Sequence, residues 1–300
     1  MTLAVYVIIY AAALVFLIAS VVRAVRYARL PLHLRWELYP VPHEEPERVK
    51  HGGSYFEQVD WWEKPTHFNW WGELKFMTPE MLFLKGLWEF NRGLWFRSFP
   101  YHFGLYLMLA TIGLLIGSAL VGTSALHAFY MLTGIAGAAL TVAGALGLLV
   151  RRLTDPNLKN GTTPGDIFNL VFFLVVFGLL AAGYLTAGAG FPGMMVLVHG
   201  LLTFNVSVDI SPLLAAGLVL GALLAAYIPL THMSHFIAKY FTYHSIRWDD
   251  APNRGDAKLA GKIAEYLTYR PTWAAPHIGA DGKKTWAEIA TTNPTSGKKK

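Results

Sequence analysis

Three long segments of this 300-residue chain carry no charged side chain, and they constrain the fold more than any other feature. Asp, Glu, Lys and Arg are absent from residues 1–22, 98–150 and 167–208. A helix needs about 20 apolar residues to cross a bilayer core, so segments of this length exclude an ordinary soluble enzyme. The sequence therefore predicts an all-α integral membrane protein, built as a helix bundle.

Five segments are long and apolar enough to form transmembrane helices. They are Leu3–Val22, His102–Gly122, Leu126–Val150, Ile167–Gly188 and Ile210–Thr231. A sixth apolar patch, Met194–Phe204, has about half the required length, and we interpret it as an interfacial or re-entrant segment. We interpret the first segment as a retained span; a cleaved signal peptide is the alternative.

Basic residues near the span ends fall on one side of the membrane. They are Arg23, Arg26 and Arg29 after span one, Arg92 and Arg97 before span two, Arg151, Arg152 and Lys159 between spans three and four, and Lys239 and Arg247 after span five. The positive-inside rule then places the N-terminus outside and the C-terminus in the cytoplasm, for a multi-pass protein of the cytoplasmic (inner) membrane. This bias and the lysine-rich end account for the net charge of +6, so no nucleic-acid partner is expected.

The predicted topology divides the chain into four parts. They are the first span (1–29), a cytoplasmic insertion (30–97), a four-helix membrane core (98–235) and a cytoplasmic tail (236–300). The insertion holds seven of the ten tryptophans and contains an amphipathic helical pattern at Pro79–Phe96, which Thr78 can cap. This pattern is typical of an interfacial helix in membrane lipid, or of a docking platform for a cytoplasmic subunit. The tail begins with a helical pattern at Phe236–Arg247.

The absence of cysteine limits the redox chemistry that this chain can perform alone. Disulfides, zinc–thiolate sites and iron–sulfur clusters held by this chain are excluded. Any redox role must use a histidine-held metal, a bound haem, a quinone or a partner subunit.

Two histidines on different spans are expected at the same depth. His102 follows Arg97 closely and His235 shortly precedes Lys239, so both lie roughly 6–8 Å from charges at the cytoplasmic side. Imidazole suits haem iron, so this pair could supply two axial ligands. His232 lies one turn from His235 and is an alternative ligand, or could bond a haem propionate.

Other polar groups near the spans keep more than one interpretation. Arg97, Arg151 and Arg152 could pair with haem propionates, although topology alone explains them. His127 and His199, on the outer side, could bind a second haem, form a quinone site or lie among lipid headgroups. Glycines on spans two and three indicate close helix packing or room for a flat macrocycle. The other six histidines are expected to be surface residues: His33, His43, His51, His67, His244 and His277.

The order of several short motifs resembles the gamma subunit of respiratory nitrate reductase, over roughly residues 1–255. The resemblance is closer still to membrane cytochrome b subunits of heterodisulfide-reductase-like and transmembrane redox complexes in sulfate reducers and methanogens. The motifs are Tyr101–Gly104 (YHFG), Arg151–Asp166 (RRLTDPNLKNGTTPGD), Gly217–His235 (GLVLGALLAAYIPLTHMSH), Lys239–Asn253 (KYFTYHSIRWDDAPN) and His33–Glu45 (HLRWELYPVPHEE).

The resemblance implies where haem would bind. In the nitrate reductase subunit, spans two and five each supply two histidines, which hold two stacked b haems. Carried over, the inner pair falls on His102 and His235, whereas the outer pair falls on Ile112 and Gly217. The resemblance therefore implies one haem b in the membrane core near the cytoplasmic face; a second haem would need His127 or His199.

The resemblance also implies a function. The chain would be the membrane cytochrome b subunit of a quinone-linked respiratory oxidoreductase. It would pass electrons between menaquinone and a cytoplasmic iron–sulfur subunit of heterodisulfide-reductase type, with further redox subunits in the complex. The alternative is a haem-free membrane anchor that holds a redox partner through the tryptophan-rich insertion.

Overall fold

The structure is a computed structural model that describes residues 1–29, 70–187, 192–244, 257–272 and 280–292. All regular structure within these ranges is helical, so the predicted all-α class is confirmed. Three tryptophans of the insertion (Trp36, Trp61 and Trp62) and five of the predicted surface histidines (His33, His43, His51, His67 and His277) lie outside the described residues.

In chain order the helices are α1 (Thr2–Arg29), α2 (Trp70–Leu82), α3 (Lys85–Phe90), α4 (Arg92–Val121), α5 (His127–Thr154), α6 (Pro156–Lys159), α7 (Pro164–Leu185), α8 (Met194–Leu202), α9 (Pro212–Tyr227), α10 (His235–His244), α11 (Ala257–Leu267) and α12 (Trp286–Thr291). Two short 3₁₀ turns, Ile228–Leu230 and His232–Ser234, connect α9 to α10.

Within the described residues, five helices are long and apolar enough to cross a membrane, and each overlaps one predicted span: α1, α4, α5, α7 and α9 with its first 3₁₀ turn. The predicted number of spans is therefore confirmed, while their orientation stays a prediction. The helix that contains the predicted second span begins already at Arg92, because the Asn91 side chain accepts a hydrogen bond from the Leu94 amide and caps the helix there. The patch at Met194 forms a helix of nine residues, which is too short to span.

The predicted amphipathic helix at Pro79–Phe96 is wrong in its limits. Pro79 lies inside α2, which begins at Trp70 and ends one turn after the proline. The chain then breaks at Leu84, whose φ of 53° is left-handed, before the short α3 and the Asn91 cap. Proline commonly marks the first turn of a helix, and this preference misplaced the start.

The long helices expose apolar side chains and bury small polar ones. Leu109, Leu120, Leu132 and Leu185 are each about 70–80% exposed, whereas the polar side chains of Thr111, Ser118 and Thr141 are buried. In water this arrangement would be unfavourable, because large apolar patches on soluble proteins promote association. The distribution therefore fits helices that are surrounded by lipid.

Glycines allow the helices of the bundle to pack at backbone distance. A Cβ added to Gly104 of α4 would lie 2.4 Å from the Thr141 hydroxyl of α5, and one added to Gly144 of α5 would lie 2.4 Å from the backbone nitrogen of Tyr101. A Cβ added to Gly183 of α7 would lie 2.5 Å from the Cα atom of Leu214 on α9. The closest packed pairs are accordingly α4 with α5 and α7 with α9, and α5 also packs on α7. Close packing is thus the role of these glycines.

The chain forms two compact units. The first contains Met1–Ala28 and Leu74–Lys239, and the second contains Arg29–Glu73 and Tyr240–Lys300. In the second unit, α12 begins at a capping box between Thr285 and Glu288, and the Trp286 amide donates to the Tyr269 carbonyl at 2.9 Å. The sequence analysis did not predict α11 or α12. The predicted domain limits stay predictions.

We expect Gly144→Ala to destabilise the protein by about 1–3 kcal/mol, because the added methyl group would overlap the backbone of Tyr101. Gly113→Ala is the matched control, since a Cβ there meets nothing within 4 Å. Thermal unfolding of the purified protein in detergent should show a lower Tm for the first variant only. Equal Tm values would contradict the packing role of Gly144.

Candidate functional site

The structure brings together His102 of α4 and His235, the first residue of α10. Their ring centroids are 6.0 Å apart and the ring planes are inclined by 74°. An imidazole nitrogen binds a metal at about 2 Å, so two rings that share one metal have centroids roughly 6 Å apart. We call the end of the bundle that carries this pair the histidine end.

A backbone hydrogen bond orients the ring of His102. The Nδ1 atom of His102 lies 2.7 Å from the carbonyl oxygen of Ser98, one turn earlier in α4. A carbonyl only accepts, so Nδ1 carries the proton and Nε2 keeps a free lone pair. This arrangement is typical of ligating histidines, whose second nitrogen is fixed by an outer partner.

His235 is favoured in the form that a metal requires. Although its side chain is exposed at the surface of the bundle, partial desolvation by neighbouring atoms lowers the pKa of His235 below the usual value for histidine, and the nearby Lys239 charge acts in the same direction. The nearby His232 backbone opposes the lowering of the His235 pKa, because a carbonyl favours the protonated ring, but the lowering prevails. The ring is therefore neutral at pH 7 and retains its lone pair. Among the described residues no group of three or more His, Cys, Asp or Glu side chains could hold a bare metal ion. Two imidazoles with centroids 6.0 Å apart instead fit an iron whose other ligands come from a porphyrin.

His232 points to a different set of partners. Its Nε2 atom lies 3.3 Å from the Asp166 carboxylate and 3.3 Å from the side-chain amide of Asn169, both on α7. The ring of His232 is 64% exposed. These contacts bind the 3₁₀ turn to α7, and they orient the Nε2 atom of His232 toward α7.

Two of the three predicted propionate partners already have carboxylate partners. Arg151 pairs with Asp155 at 3.1 Å, and Arg152 lies 3.6 Å from the Asp166 carboxylate. The Asn157 backbone amide and the Arg151 guanidinium together lower the pKa of Asp155. Arg97 donates to the carbonyl of Gly93 in its own helix. Among the described residues it makes no ion pair, so it is the most available of the three arginines.

Sequence reasoning missed several residues that surround the histidine end. Lys239 donates to the Glu80 carbonyl at 2.8 Å, and its charge acts on both His102 and His235. Tyr106 donates to the Met81 carbonyl at 3.0 Å, which fastens the end of α2 to α4. Arg23 of α1 binds the turn that leads to His235. In the sequence, Lys239 and Arg23 indicated only the orientation of the spans.

The outer histidines are not brought together as a second pair. His127 begins α5 and contacts the ring of Tyr130 at 5.0 Å, and His199 lies on α8. Both are exposed, and no ring contact joins them among the described residues. The positions where the resemblance places outer haem ligands are also unsuited to that role. Ile112 is 52% exposed, and a Cβ on Gly217 would lie 2.9 Å from the Leu180 backbone nitrogen.

Comparison with known proteins agrees with the position of this site. The nitrate reductase gamma subunit family matches residues 87–249, which are just over half of the chain and include both His102 and His235. The chain belongs to the nitrate reductase gamma subunit family. No curated protein and no solved structure matches it. Gamma subunits of this family are haem b proteins and membrane subunits of respiratory oxidoreductase complexes. The predicted link to sulfate-reducer complexes stays a prediction.

We expect His232→Gln to retain the haem content of the unmodified gamma-family chain, because His232 contacts Asp166 and Asn169. Glutamine can still hydrogen-bond to Asp166, so the turn should keep its anchor. Haem per chain, measured by pyridine haemochrome on the purified complex, checks this. Loss of haem in His232→Gln, together with retention in His235→Ala, would identify His232 as the ligand instead.

Proposed function

We propose that this gamma-family chain is the cytochrome b subunit of a quinone-linked respiratory oxidoreductase and holds one haem b between His102 and His235. The observation that carries the proposal is the approach of these two rings, whose centroids lie 6.0 Å apart, within the segment that matches the family. A bound haem b would accept and release one electron at a time.

The chain's own residues would orient the haem by fixing one of its two ligands. The Ser98 carbonyl holds the second nitrogen of the His102 ring, so that ring cannot rotate freely. Arg97 is the best-placed basic residue for a propionate, since it is not committed to a carboxylate among the described residues. Arg151 and Arg152 would need to leave Asp155 and Asp166 to serve the same purpose.

Helix packing supports one haem rather than two. A histidine at position 217 would force its Cβ into the backbone of Leu179 and Leu180, because Gly217 is a point of contact between α9 and α7. Position 112 lies on the exposed surface of α4. Positions 112 and 217 therefore offer neither histidine ligands nor, at 217, the space for one, so they do not support a second haem held by spans two and five. A second haem would need His127 or His199.

The chemistry also requires partners. The chain has no cysteine, so an iron–sulfur cluster that exchanges electrons with the haem must belong to another polypeptide. We propose a cytoplasmic iron–sulfur subunit of heterodisulfide-reductase type, with further redox subunits in the complex. Menaquinone is the proposed lipid-soluble carrier, and the cytoplasmic (inner) membrane is the proposed location.

The quinone is proposed to react at the outer side, near His127 or His199. Both imidazoles are exposed, so a carrier dissolved in lipid could reach them. Quinol oxidation releases protons as well as electrons, and histidine is the side chain best suited to accept a proton near neutral pH. A site beside the haem is the alternative, since it would shorten the path of the electron.

We expect pyridine haemochrome analysis to give about one haem b per chain in the purified complex. His102→Ala and His235→Ala should each lower haem retention roughly tenfold or more, because each removes an axial ligand. His199→Ala is the matched control and should keep its haem. Two haems per chain would refute the single-haem proposal. Haem-free wild-type protein that still assembles with its partners would favour the membrane anchor.

We expect a menaquinol analogue to reduce the haem in isolated membranes. In the double variant His127→Ala and His199→Ala the reduction rate should fall roughly tenfold or more, since a proton acceptor is lost. Stopped-flow absorbance in the haem b bands measures this rate. An unchanged rate with normal haem content would place quinol oxidation elsewhere, as in the site beside the haem.

A further inference from the structure

Arg23, near the end of α1, contacts the turn that precedes His235. Its Nη1 atom donates to the Thr231 carbonyl at 3.0 Å and to the Ser234 hydroxyl at 2.6 Å. Ser234 is 1% exposed and is one of the few buried polar side chains among the described residues. Arg23 therefore reaches from the first span into the base of the α9–α10 connection.

This connection depends on side-chain contacts because regular helix bonding is interrupted there. Thr231 has an extended backbone, with φ of −119° and ψ of −177°, between the two 3₁₀ turns. Its carbonyl accepts from the Ser234 amide and hydroxyl, and from Arg23. A charged donor makes a hydrogen bond roughly twice as strong as a neutral one, so the hydrogen bonds from Arg23 should stabilise the conformation of this turn.

A separate set of contacts joins the other side of the same turn to α7. The His232 ring contacts the Asp166 carboxylate and the side-chain amide of Asn169. The turn is thus fastened to α1 on one side and to α7 on the other, and His235 begins the helix that follows at once. A small rotation of this turn would swing the His235 ring relative to His102.

We propose that Arg23 is a positioning residue that, together with Ser234, sets the direction in which His235 presents its imidazole to a haem. The inference rests on the proposed function, because it takes His235 as an axial ligand. It assigns to the first span, which lies outside the residues that match the family, a direct role in the geometry of the haem site.

The test uses the full chain in its membrane complex, with the variants Arg23→Gln, Arg23→Lys and Ser234→Ala. Arg26→Gln is the matched control, since it removes the same charge one turn further along α1 from an exposed position. Haem per chain, the g-values of the low-spin electron paramagnetic resonance signal and the haem midpoint potential are measured. The g-values report the relative orientation of the two imidazoles that hold the haem. If Arg23 only stabilised the fold, its substitution would leave this orientation, and hence the g-values, unchanged.

Arg23→Gln should lower haem per chain about two- to tenfold and shift the g-values of the haem that remains. Arg23→Lys should recover much of the loading, since an ammonium can still donate to the Thr231 carbonyl. Ser234→Ala should shift the g-values in the same direction with a smaller loss of haem. Arg26→Gln should match the unmodified protein in all three measurements.

Wild-type loading, g-values and potential in both Arg23→Gln and Ser234→Ala would overturn the positioning role. If Arg23→Gln does not accumulate in membranes, Ser234→Ala decides, because it alters no charge and hence no topology signal. His235→Ala is measured in parallel. If it keeps its haem, the proposed ligand is wrong and the proposed function fails; if it loses haem while Arg23→Gln and Ser234→Ala are both unaltered, only the role of Arg23 fails.

Discussion

The approach of His102 and His235 depends on helix contacts that only glycine permits. Gly104 and Gly144 bring α4 against α5, and Gly183 and Gly217 bring α7 against α9, each at distances where a Cβ would meet another residue's backbone or side chain. Within lipid there is little hydrophobic force to draw helices together, so close van der Waals packing must supply the attraction. His102 lies within α4, His235 follows α9 through two 3₁₀ turns, and the contact of α5 with α7 links the two pairs of helices.

The same packing limits what the bundle can hold. Gly217 contributes to the contact that places α9, and therefore His235, but it also occupies the position where a second ligand from span five would be expected. A larger residue there would separate α9 from α7 and disturb the inner histidine as well. The contact that places His235 thus also excludes a ligand at position 217, which supports the proposal of a single haem.

The sequence predicted the spans well because the length of an apolar segment and its freedom from charge are properties of the chain alone. It predicted the meeting of His102 and His235 for a related reason, since both lie at similar distances from flanking charges. It could not reveal that α4 begins at Arg92 or that the chain breaks at Leu84. Several neighbouring residues could cap a helix or adopt a left-handed conformation, and the sequence does not show which of them does so. The role of Arg23 also remained hidden, since its partners Thr231 and Ser234 are distant in sequence.

Electron exchange with a partner must occur at the histidine end if the haem lies between His102 and His235. That end is covered in part by α2, which Lys239 holds through the Glu80 carbonyl and Tyr106 holds through the Met81 carbonyl. The Trp95 indole donates to the Phe83 carbonyl at 2.8 Å and fastens the following break. These contacts join α2 to both α4 and α10. A partner that bound α2 would contact, through α2, the two helices that carry His102 and His235. A partner that docked on α2 would therefore reach the proposed haem site through these contacts.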